Sequence, residues 1–516
     1  MRSGLSDQGE PTVTNGQDFD SSYEPRQGTR NLTHRDADWS GLRILVSGLG
    51  ISGFAAADAL SERGAIVSAV SADATATIEE RAQILQILGV DVRLGPEHLL
   101  DVPEGTELVV TSPGFRPDHP LMLAAASRGI PVWGEVELAW RMRAQFGAAP
   151  WITITGTNGK TTTVKMLEAI LRAAGLRATS AGNVGTPLLE AVLHPDPYDV
   201  LAVELSSFQL HWQRSVAPFA SACLNLAPDH IDWHGSMEAY RQAKAKVYAG
   251  TQIACVYNVQ DPATEQMVMD ADVVEGCRAI GFTLGIPGPS MVGLVDDALA
   301  DRAFVEQRRT SAAELATLAD LQKDSSSVAP HNVANALAAA ALARAYGVGP
   351  LSVRDGLRAF VPDPHRIAEV ATVDGVRFVD DSKATNPHAA GASLLAFEHV
   401  VWIAGGLLKG ADVDALVQSV ADRLRGVVLI GADREQIARA LRRHAPDVPL
   451  VDVPGTETGV MDLVVARACA LAQRGDVVLL APAAASMDMF ANYGVRGDAF
   501  AEAVHRRASR QQGPDA

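Results

Sequence analysis

The chain has little cysteine: Cys223, Cys255, Cys277 and Cys469 are its four in 516 residues. They are widely spaced, with no Cys-x-x-Cys pair and no Cys/His spacing of a zinc module. A disulfide-stapled fold is therefore excluded, and small buried thiols in a reducing compartment are expected. Long hydrophobic runs are also missing. No uncharged apolar stretch reaches about 18 residues, so no transmembrane helix is expected. The N-terminus lacks the apolar core of a signal peptide, and a cytoplasmic location follows as the expectation. Positive charge is in short supply: 44 Lys and Arg against 61 Asp and Glu leave a net charge of −17. That argues against non-specific binding to nucleic acid or to an anionic membrane. An anionic small molecule in a local pocket stays open. The rest is ordinary for a globular protein, 47% apolar and 20% charged, with chain enough for about two to four domains.

The most informative stretch is Ile152-Thr153-Ile154-Thr155-Gly156-Thr157-Asn158-Gly159-Lys160-Thr161-Thr162. A β-branched run reads as a buried strand, and it runs into a Gly-rich loop that ends where a helix begins, at about Thr162. Gly156 and Gly159 let backbone N–H groups converge on phosphate oxygens. Lys160 brings a point charge, Thr161 a hydroxyl for Mg²⁺, and the helix N-terminus a partial positive charge. The spacing, Gly-x-x-Gly-Lys-Thr, is about two residues shorter than the common phosphate loop. A plain strand–turn–helix explains the glycines but not the Lys-Thr pair.

Ahead of it, residues 1–38 are polar and aperiodic and read as a disordered tail. Residues 39–149 alternate strand and helix, which reads as a small parallel-sheet domain. Its first strand meets Gly48-Leu49-Gly50-Ile51-Ser52-Gly53, a dinucleotide-type loop in the right context. The next strand ends at Ser71, where a nicotinamide dinucleotide site wants an acid. A diphosphate suits the loop better, and tight helix–strand packing explains the glycines equally well.

Behind the phosphate loop, an apolar strand ends in Glu204, where a second Mg²⁺ ligand belongs. Another leads into Asp229-His230-Ile231-Asp232-Trp233-His234. That cluster is too local for a closed zinc site, and a His ligand to Mg²⁺ or Mn²⁺ fits better. The helix from Met237 carries Arg241, Lys244 and Lys246, among which pattern alone does not choose. The stretch from Thr264 to about Ser327 reads as irregular, with short strands and acidic turns. Asn332 and Asn335 open an Ala-rich helix as caps or as nucleotide contacts. Pro362 to Pro364 mark a boundary, giving a central domain of residues 150–362 and a third of 363–516. The third domain alternates again and places polar or Gly-rich loops at three strand ends, around Asp381, Lys409 and Ser486. Open α/β sheets bind ligands there.

The motifs together resemble the Mur ligase family from about Leu42 to Arg506. They are Gly-Thr-Asn-Gly-Lys-Thr (156–161), Glu-Leu-Ser-Ser-Phe-Gln-Leu (204–210), Asp-His-Ile-Asp-Trp-His (229–234) and His-Asn-Val-Ala-Asn-Ala (331–336), with Pro-His-Arg (364–366), Asp-Ser-Lys-Ala-Thr-Asn (381–386) and Ala-Ala-Ser-Met-Asp-Met-Phe (484–490). The ATP motifs are shared with folylpolyglutamate synthetases. Asp-Ser-Lys-Ala-Thr-Asn and Glu-Leu-Ser-Ser-Phe-Gln-Leu look like those of the D-glutamate-adding members.

The resemblance implies three α/β domains: a Rossmann-like one for the UDP-sugar, a central ATPase-like one on a mostly parallel sheet, and a Rossmann-like one for the amino acid. It implies ATP-dependent addition of D-glutamate to UDP-N-acetylmuramoyl-L-alanine through an acyl phosphate, in peptidoglycan precursor synthesis, by a monomer. Gly156, Thr157, Asn158, Gly159, Lys160, Thr161, Thr162, Asn335, Arg366 and Asp381 would hold ATP. Thr161, Glu204, His230 and a carbamylated Lys244 would hold two Mg²⁺ ions, or Mn²⁺ in their place, with Lys160, Glu204, His230 and Lys244 carrying the chemistry. Gly50, Ile51, Ser52, Ser112, Asn183, Ser207 and Gln209 would face the UDP-sugar. Lys383, Thr385, Lys409, Ser486 and Tyr493 would hold D-glutamate. Other readings are a related ligase with a different acceptor, a nicotinamide-dependent dehydrogenase, and a non-catalytic nucleotide-binding regulator. Ser71 and the phosphate loop oppose the dehydrogenase. The intact Lys160, Glu204, His230 and Lys244 oppose the regulator.

Overall fold

A computed structural model describes residues 31–322, 328–362, 364–455 and 458–511. Three sheets follow one another along the chain. The first holds β1 (Arg43–Ser47), β2 (Ile66–Ser71), β3 (Asp91–Leu94), β4 (Leu108–Thr111) and β5 (Val132–Gly134), ordered 3-2-1-4-5. All its pairs are parallel. The order reverses between β1 and β4, so the loop after Ser47 and the loop after Thr111 share one crevice. Gly53 sits tight there, since a Cβ on it would collide with the Gly48 carbonyl.

Nine strands form the second sheet: β6 (Trp151–Thr155), β7 (Ala178–Gly182), β8 (Val200–Glu204), β9 (Ala220–Cys223), β10 (Ala254–Asn258), β11 (Arg278–Phe282), β12 (Met291–Val295), β13 (Ala298–Asp301) and β14 (Ala313–Thr317). Their order is 14-13-12-11-10-9-6-8-7, parallel up to an antiparallel β12–β13–β14 end. Every residue of β6, β8 and β9 is buried. That suits strands covered on both faces, where apolar and β-branched residues run without alternation. The helix Lys160–Ala173 follows β6, and the helices Pro330–Ala345 and Pro350–Ala359 pack on it. Gly356 makes that close packing possible, because a Cβ there would strike the Ile170 backbone.

The third sheet comprises β15 (Ala368–Val373), β16 (Val376–Asp380), β17 (Val400–Gly405), β18 (Leu424–Ile430), β19 (Leu450–Asp452) and β20 (Val477–Leu480), ordered 15-16-20-17-18-19. Only the β15–β16 pair is antiparallel.

Residues 31–38, expected as tail, are anchored at Leu32, which is buried and whose carbonyl accepts from Arg141. The remainder of that tail lies outside the described residues. The stretch after Thr264 carries the expected short strands, β11 to β14, and begins with the end of the helix Pro262–Met269. These short strands find partners only on the edge that β10 offers, which local pattern cannot reveal.

The first two units are clamped by Glu137. Its carboxylate accepts the N–H of Arg214 (2.7 Å) and Ser215 (2.9 Å), the Ser215 hydroxyl (2.6 Å) and the Arg141 guanidinium (2.6 Å). Burial alone would raise this carboxyl, but the Ser215 hydroxyl and the other donors hold it below its ordinary value. Its stabilisation is therefore present above the ordinary carboxyl pKa and fades as pH falls through the lowered one. Glu137→Ala strands these donors and should cost about 3–5 kcal/mol, read as a lowered denaturant midpoint.

Candidate active site

The phosphate loop leaves β6, third from one edge of the second sheet, between the ends of β8 and β9. The helix starts at Lys160, two residues before the sequence suggested, because Gly159 takes a left-handed backbone (φ 84°) as its N-cap. A Cβ on Gly159 would collide with Asn335 Oδ1. Of the two Asn that open the Ala-rich helix, Asn335 thus abuts the loop. Asn225, which no motif marked, pins the loop from the other side. Its Oδ1 accepts the Asn158 N–H (2.8 Å) and its Nδ2 donates to the Asn158 carbonyl (3.1 Å). The Thr157 hydroxyl meets Tyr240 OH at 3.1 Å.

Two lysines converge on one carbonyl. Lys160 Nζ donates to the Gly156 and Thr157 carbonyls at 2.9 Å, and Lys244 Nζ to the Gly156 carbonyl at 2.8 Å. Of Arg241, Lys244 and Lys246, Lys244 alone is buried. Burial lowers the Lys160 ammonium, with Glu204 and Asp229 opposing. Burial, with Lys160 adding to it, pushes Lys244 down to about 7. The pair is a positive concentration on a strongly acidic chain, suited to a polyphosphate.

Glu204 ends β8 and is 1% exposed. Its Oε1 accepts from Asn183 (2.8 Å), while Oε2 has no hydrogen-bond partner among the described residues. The buried Thr162 hydroxyl is likewise without one. A buried carboxylate oxygen left open is costly unless a cation or donor completes it. His230 stands nearby in a left-handed backbone (φ 53°), edge-on to Phe208 at 4.7 Å. Burial lowers its pKa, with Asp229 opposing, and a neutral imidazole is the ligating form. His234 is turned elsewhere, its Nε2 2.9 Å from Ser207 Oγ. Among the described residues no group of three or more His, Cys, Asp or Glu could hold a metal by itself. Mg²⁺ needs no such group, since it takes one or two protein ligands and fills its shell with water and phosphate.

The third sheet's loops reach this centre. Asn386 caps the helix Pro387–Leu394 and donates to Asn158 Oδ1 (3.1 Å) and Asp229 Oδ2 (3.3 Å). His388 Nδ1 lies 3.0 Å from Asn158 Nδ2. Asp381 is buried, takes the Ser393 hydroxyl, and is pushed up by burial to about 7. The amino-acid candidates are gathered by Arg496, which is 1% exposed. It donates to the Ser382 hydroxyl (2.9 Å) and carbonyl (2.8 Å) and to the Ala484 carbonyl (3.1 Å), tying the loop after β16 to the loop after β20. Leu407 and Ala485 exchange backbone hydrogen bonds at 2.9 Å, which adds the loop after β17. Lys383 Nζ lies 5.3 Å from the Tyr493 ring centroid. Ser486 is buried and Lys409 exposed. Thr385 donates its N–H to the Lys383 carbonyl (2.9 Å). Nothing in the sequence marked Arg496, since one Arg in a polar helix reads as surface.

At the first sheet's crevice, Gly50 and the exposed Ile51 open the helix Ile51–Glu62. Ser112 Oγ donates to the Gly48 carbonyl at 3.3 Å. Ser52 hydrogen-bonds the buried Glu135. Gln209 Oε1 accepts the Ser206 N–H (2.9 Å) and hydroxyl (3.1 Å) in a capping box.

Comparison with known proteins agrees with this arrangement. Residues 154–343 match the Mur ligase middle domain, and residues 365–484 the Mur ligase, glutamate ligase domain. The chain is 61% identical over 467 residues to a UDP-N-acetylmuramoylalanine–D-glutamate ligase of Streptomyces avermitilis, covering 90% of this chain and 98% of that protein. The like-named enzyme of Mycolicibacterium smegmatis is 46% identical over 499 residues, covering 90% and 96%. Among solved structures, UDP-N-acetylmuramate-alanine ligase MurC of Thermotoga maritima aligns with TM-score 0.53 at 19% identity, covering 91% of this chain and all of that one. MurF of Acinetobacter baumannii aligns with TM-score 0.53 at 18% identity, covering 89% and 93%. These two share the fold.

Proposed function

Because the chain belongs to the Mur ligase family, we propose that it joins D-glutamate to UDP-N-acetylmuramoyl-L-alanine, with ATP cleaved to ADP and phosphate. One observation carries the reading: Asn386, in the motif that resembles the D-glutamate-adding members, is bonded to Asn158 of the phosphate loop. Phosphoryl acceptor and amine donor are thereby brought to one place.

A carboxylate oxygen of the acceptor attacks the γ-phosphorus, ADP leaves, and an acyl phosphate forms. The D-glutamate amine then attacks the carbonyl, and phosphate leaves with the carboxylate oxygen while the amine loses a proton. Gly156 to Thr162 cradle the triphosphate, and Lys160 meets the negative charge of the transferring group. Asn335, Arg366 and Asp381 hold the nucleotide. Lys383, Thr385, Lys409, Ser486 and Tyr493 hold D-glutamate, while Gly50, Ile51, Ser52, Ser112, Asn183, Ser207 and Gln209 face the UDP-sugar. Docking of the third unit on the second keeps water from the acyl phosphate. The open Glu204 Oε2 fits a divalent cation, so Thr161, Glu204, His230 and a carbamylated Lys244 would hold two Mg²⁺ ions, which when bound neutralise phosphoryl oxygens. The units are residues 39–149, 150–362 and 363–516, acting as a cytoplasmic monomer.

The test is phosphate release with UDP-N-acetylmuramoyl-L-alanine and D-glutamate, L-glutamate, L-lysine or no amino acid. Release with amide formation is expected with D-glutamate alone; equal release with L-lysine would overturn the assignment.

Lys244 gives a second test. An ordinary lysine of pKa 10.5 is neutral in roughly three of ten thousand molecules at pH 7, whereas one at about 7 is half neutral and able to add CO₂, losing a proton to become a carbamate. Activity should fall in CO₂-depleted buffer and return with bicarbonate. Lys244→Ala should remove that dependence along with most of the activity.

A further inference from the structure

Asn158 of the phosphate loop is gripped from two sides. Its backbone is held within the second unit: Asn225 Oδ1 accepts its N–H (2.8 Å) and Asn225 Nδ2 donates to its carbonyl (3.1 Å). Its side chain is held by the third: Asn386 Nδ2 donates to its Oδ1 (3.1 Å), and its Nδ2 lies 3.0 Å from His388 Nδ1. The Asp-Ser-Lys-Ala-Thr-Asn motif ends at Asn386, so no motif marks His388.

The orientation of each group in this relay follows from the one before it. Asn386 Oδ1 accepts the Ala389 N–H (2.8 Å) as cap of the helix Pro387–Leu394. Its Nδ2 is therefore the end that faces Asp229 Oδ2 (3.3 Å) and Asn158. The Asn158 atom that meets it has to be the acceptor, Oδ1. That leaves Nδ2, a donor and not an acceptor, aimed at His388. His388 Nδ1 then has to accept, so it carries no proton and the ring hydrogen sits on Nε2. A protonated imidazole donates from both nitrogens and would set one N–H against another.

We infer that His388 is a positioning residue that latches the third unit onto the phosphate loop only while its Nδ1 is unprotonated, so that acid loosens the amino-acid side of the site from the ATP side. The effect on turnover rests on the ligase reading above; the contact does not. The rim of the ring reaches solvent, so a proton has access. Desolvation of the side against the loop lowers its pKa, with Asp261 at the cap of the helix Pro262–Met269 opposing. His331, at the start of the helix Pro330–Ala345, also acts on it. Burial, with Arg366 and His388 adding to it, holds His331 down at about 4, so it stays neutral through the relevant range. Asp229 lies behind Asn386, and the helix Pro387–Leu394 carries no other titratable residue. Docking is therefore complete above the ordinary histidine value of 6.5 and weakens as pH falls from there toward the lowered one.

Selective ¹⁵N-histidine labelling of the full chain, with ADP and Mg²⁺ saturating, reads the ring directly. At about pH 7.5 the resonances that His388→Asn removes should show an unprotonated Nδ1 and a protonated Nε2. The opposite tautomer would overturn the latch. X-ray scattering of the same samples should give a radius of gyration that grows between about pH 7.5 and about pH 5.5 in the wild type. His388→Ala should be expanded at both, and His388→Asn compact at both, since its amide oxygen takes the place of Nδ1 and does not titrate. The KM for D-glutamate should rise about fivefold or more over that interval in the wild type, and be flat in both variants, low with Asn and high with Ala. The KM for ATP at about pH 7.5 should be unchanged in both. His388→Ala behaving as wild type, or His388→Asn keeping the acid loss, would overturn the proposal. If no amino acid supported turnover, the ligase reading would fail, while tautomer and scattering would still decide the latch.

Discussion

Lys160→Ala should lower kcat by about 10³-fold or more while the chain stays folded. The expected size follows from what point charges on a transferring phosphoryl group are worth, about 10³–10⁵-fold for a dedicated cation and 10²–10³ for one preorganised donor. Retention of the fold follows from how little the ammonium holds in place. Among the described residues Lys160 Nζ donates only to the carbonyls of Gly156 and Thr157, and Gly156 keeps its bond from Lys244. The circular dichroism melt should therefore stay close to wild type. Activity within about tenfold of wild type would show that the loop does not hold the reacting phosphates.

Glu204→Gln should have the next largest effect. The substitution keeps size and leaves an amide oxygen to accept from Asn183, so the end of β8 should hold. It removes the negative charge from the oxygen that has no partner, Oε2. If that oxygen meets a cation, kcat should fall by about 10²–10³-fold and the Mg²⁺ concentration for half-maximal rate should rise, since charge neutralisation of this kind is worth several kcal/mol. A purely structural carboxylate would give a different outcome: a lowered Tm with an unchanged Mg²⁺ requirement.

Local signals were the legible ones. The phosphate loop could be read because strand, glycines, Lys160 and helix are contiguous, and only the helix start was misplaced, by the unforeseen cap of Gly159. The buried strand ending in Glu204 was readable for the same reason. Ser206-x-x-Gln209 is a capping pattern, and it forms the capping box that pattern describes. Long-range devices left no trace. Arg496 binds the Ser382 carbonyl 114 residues away, Asn225 holds a loop 67 residues before it, and β11 to β14 depend on an edge built elsewhere. A side chain that works through the backbone of another segment has no sequence pattern, since any segment offers the same carbonyls and N–H groups.

The central claim is that a carboxylate is activated as an acyl phosphate before the amine attacks. The direct measurement uses UDP-N-acetylmuramoyl-L-alanine labelled with ¹⁸O in its terminal carboxylate, with ATP, Mg²⁺ and D-glutamate, and mass analysis of the phosphate released. Transfer of one labelled oxygen into phosphate at each turnover is the predicted result. Amide formed with unlabelled phosphate would contradict the account.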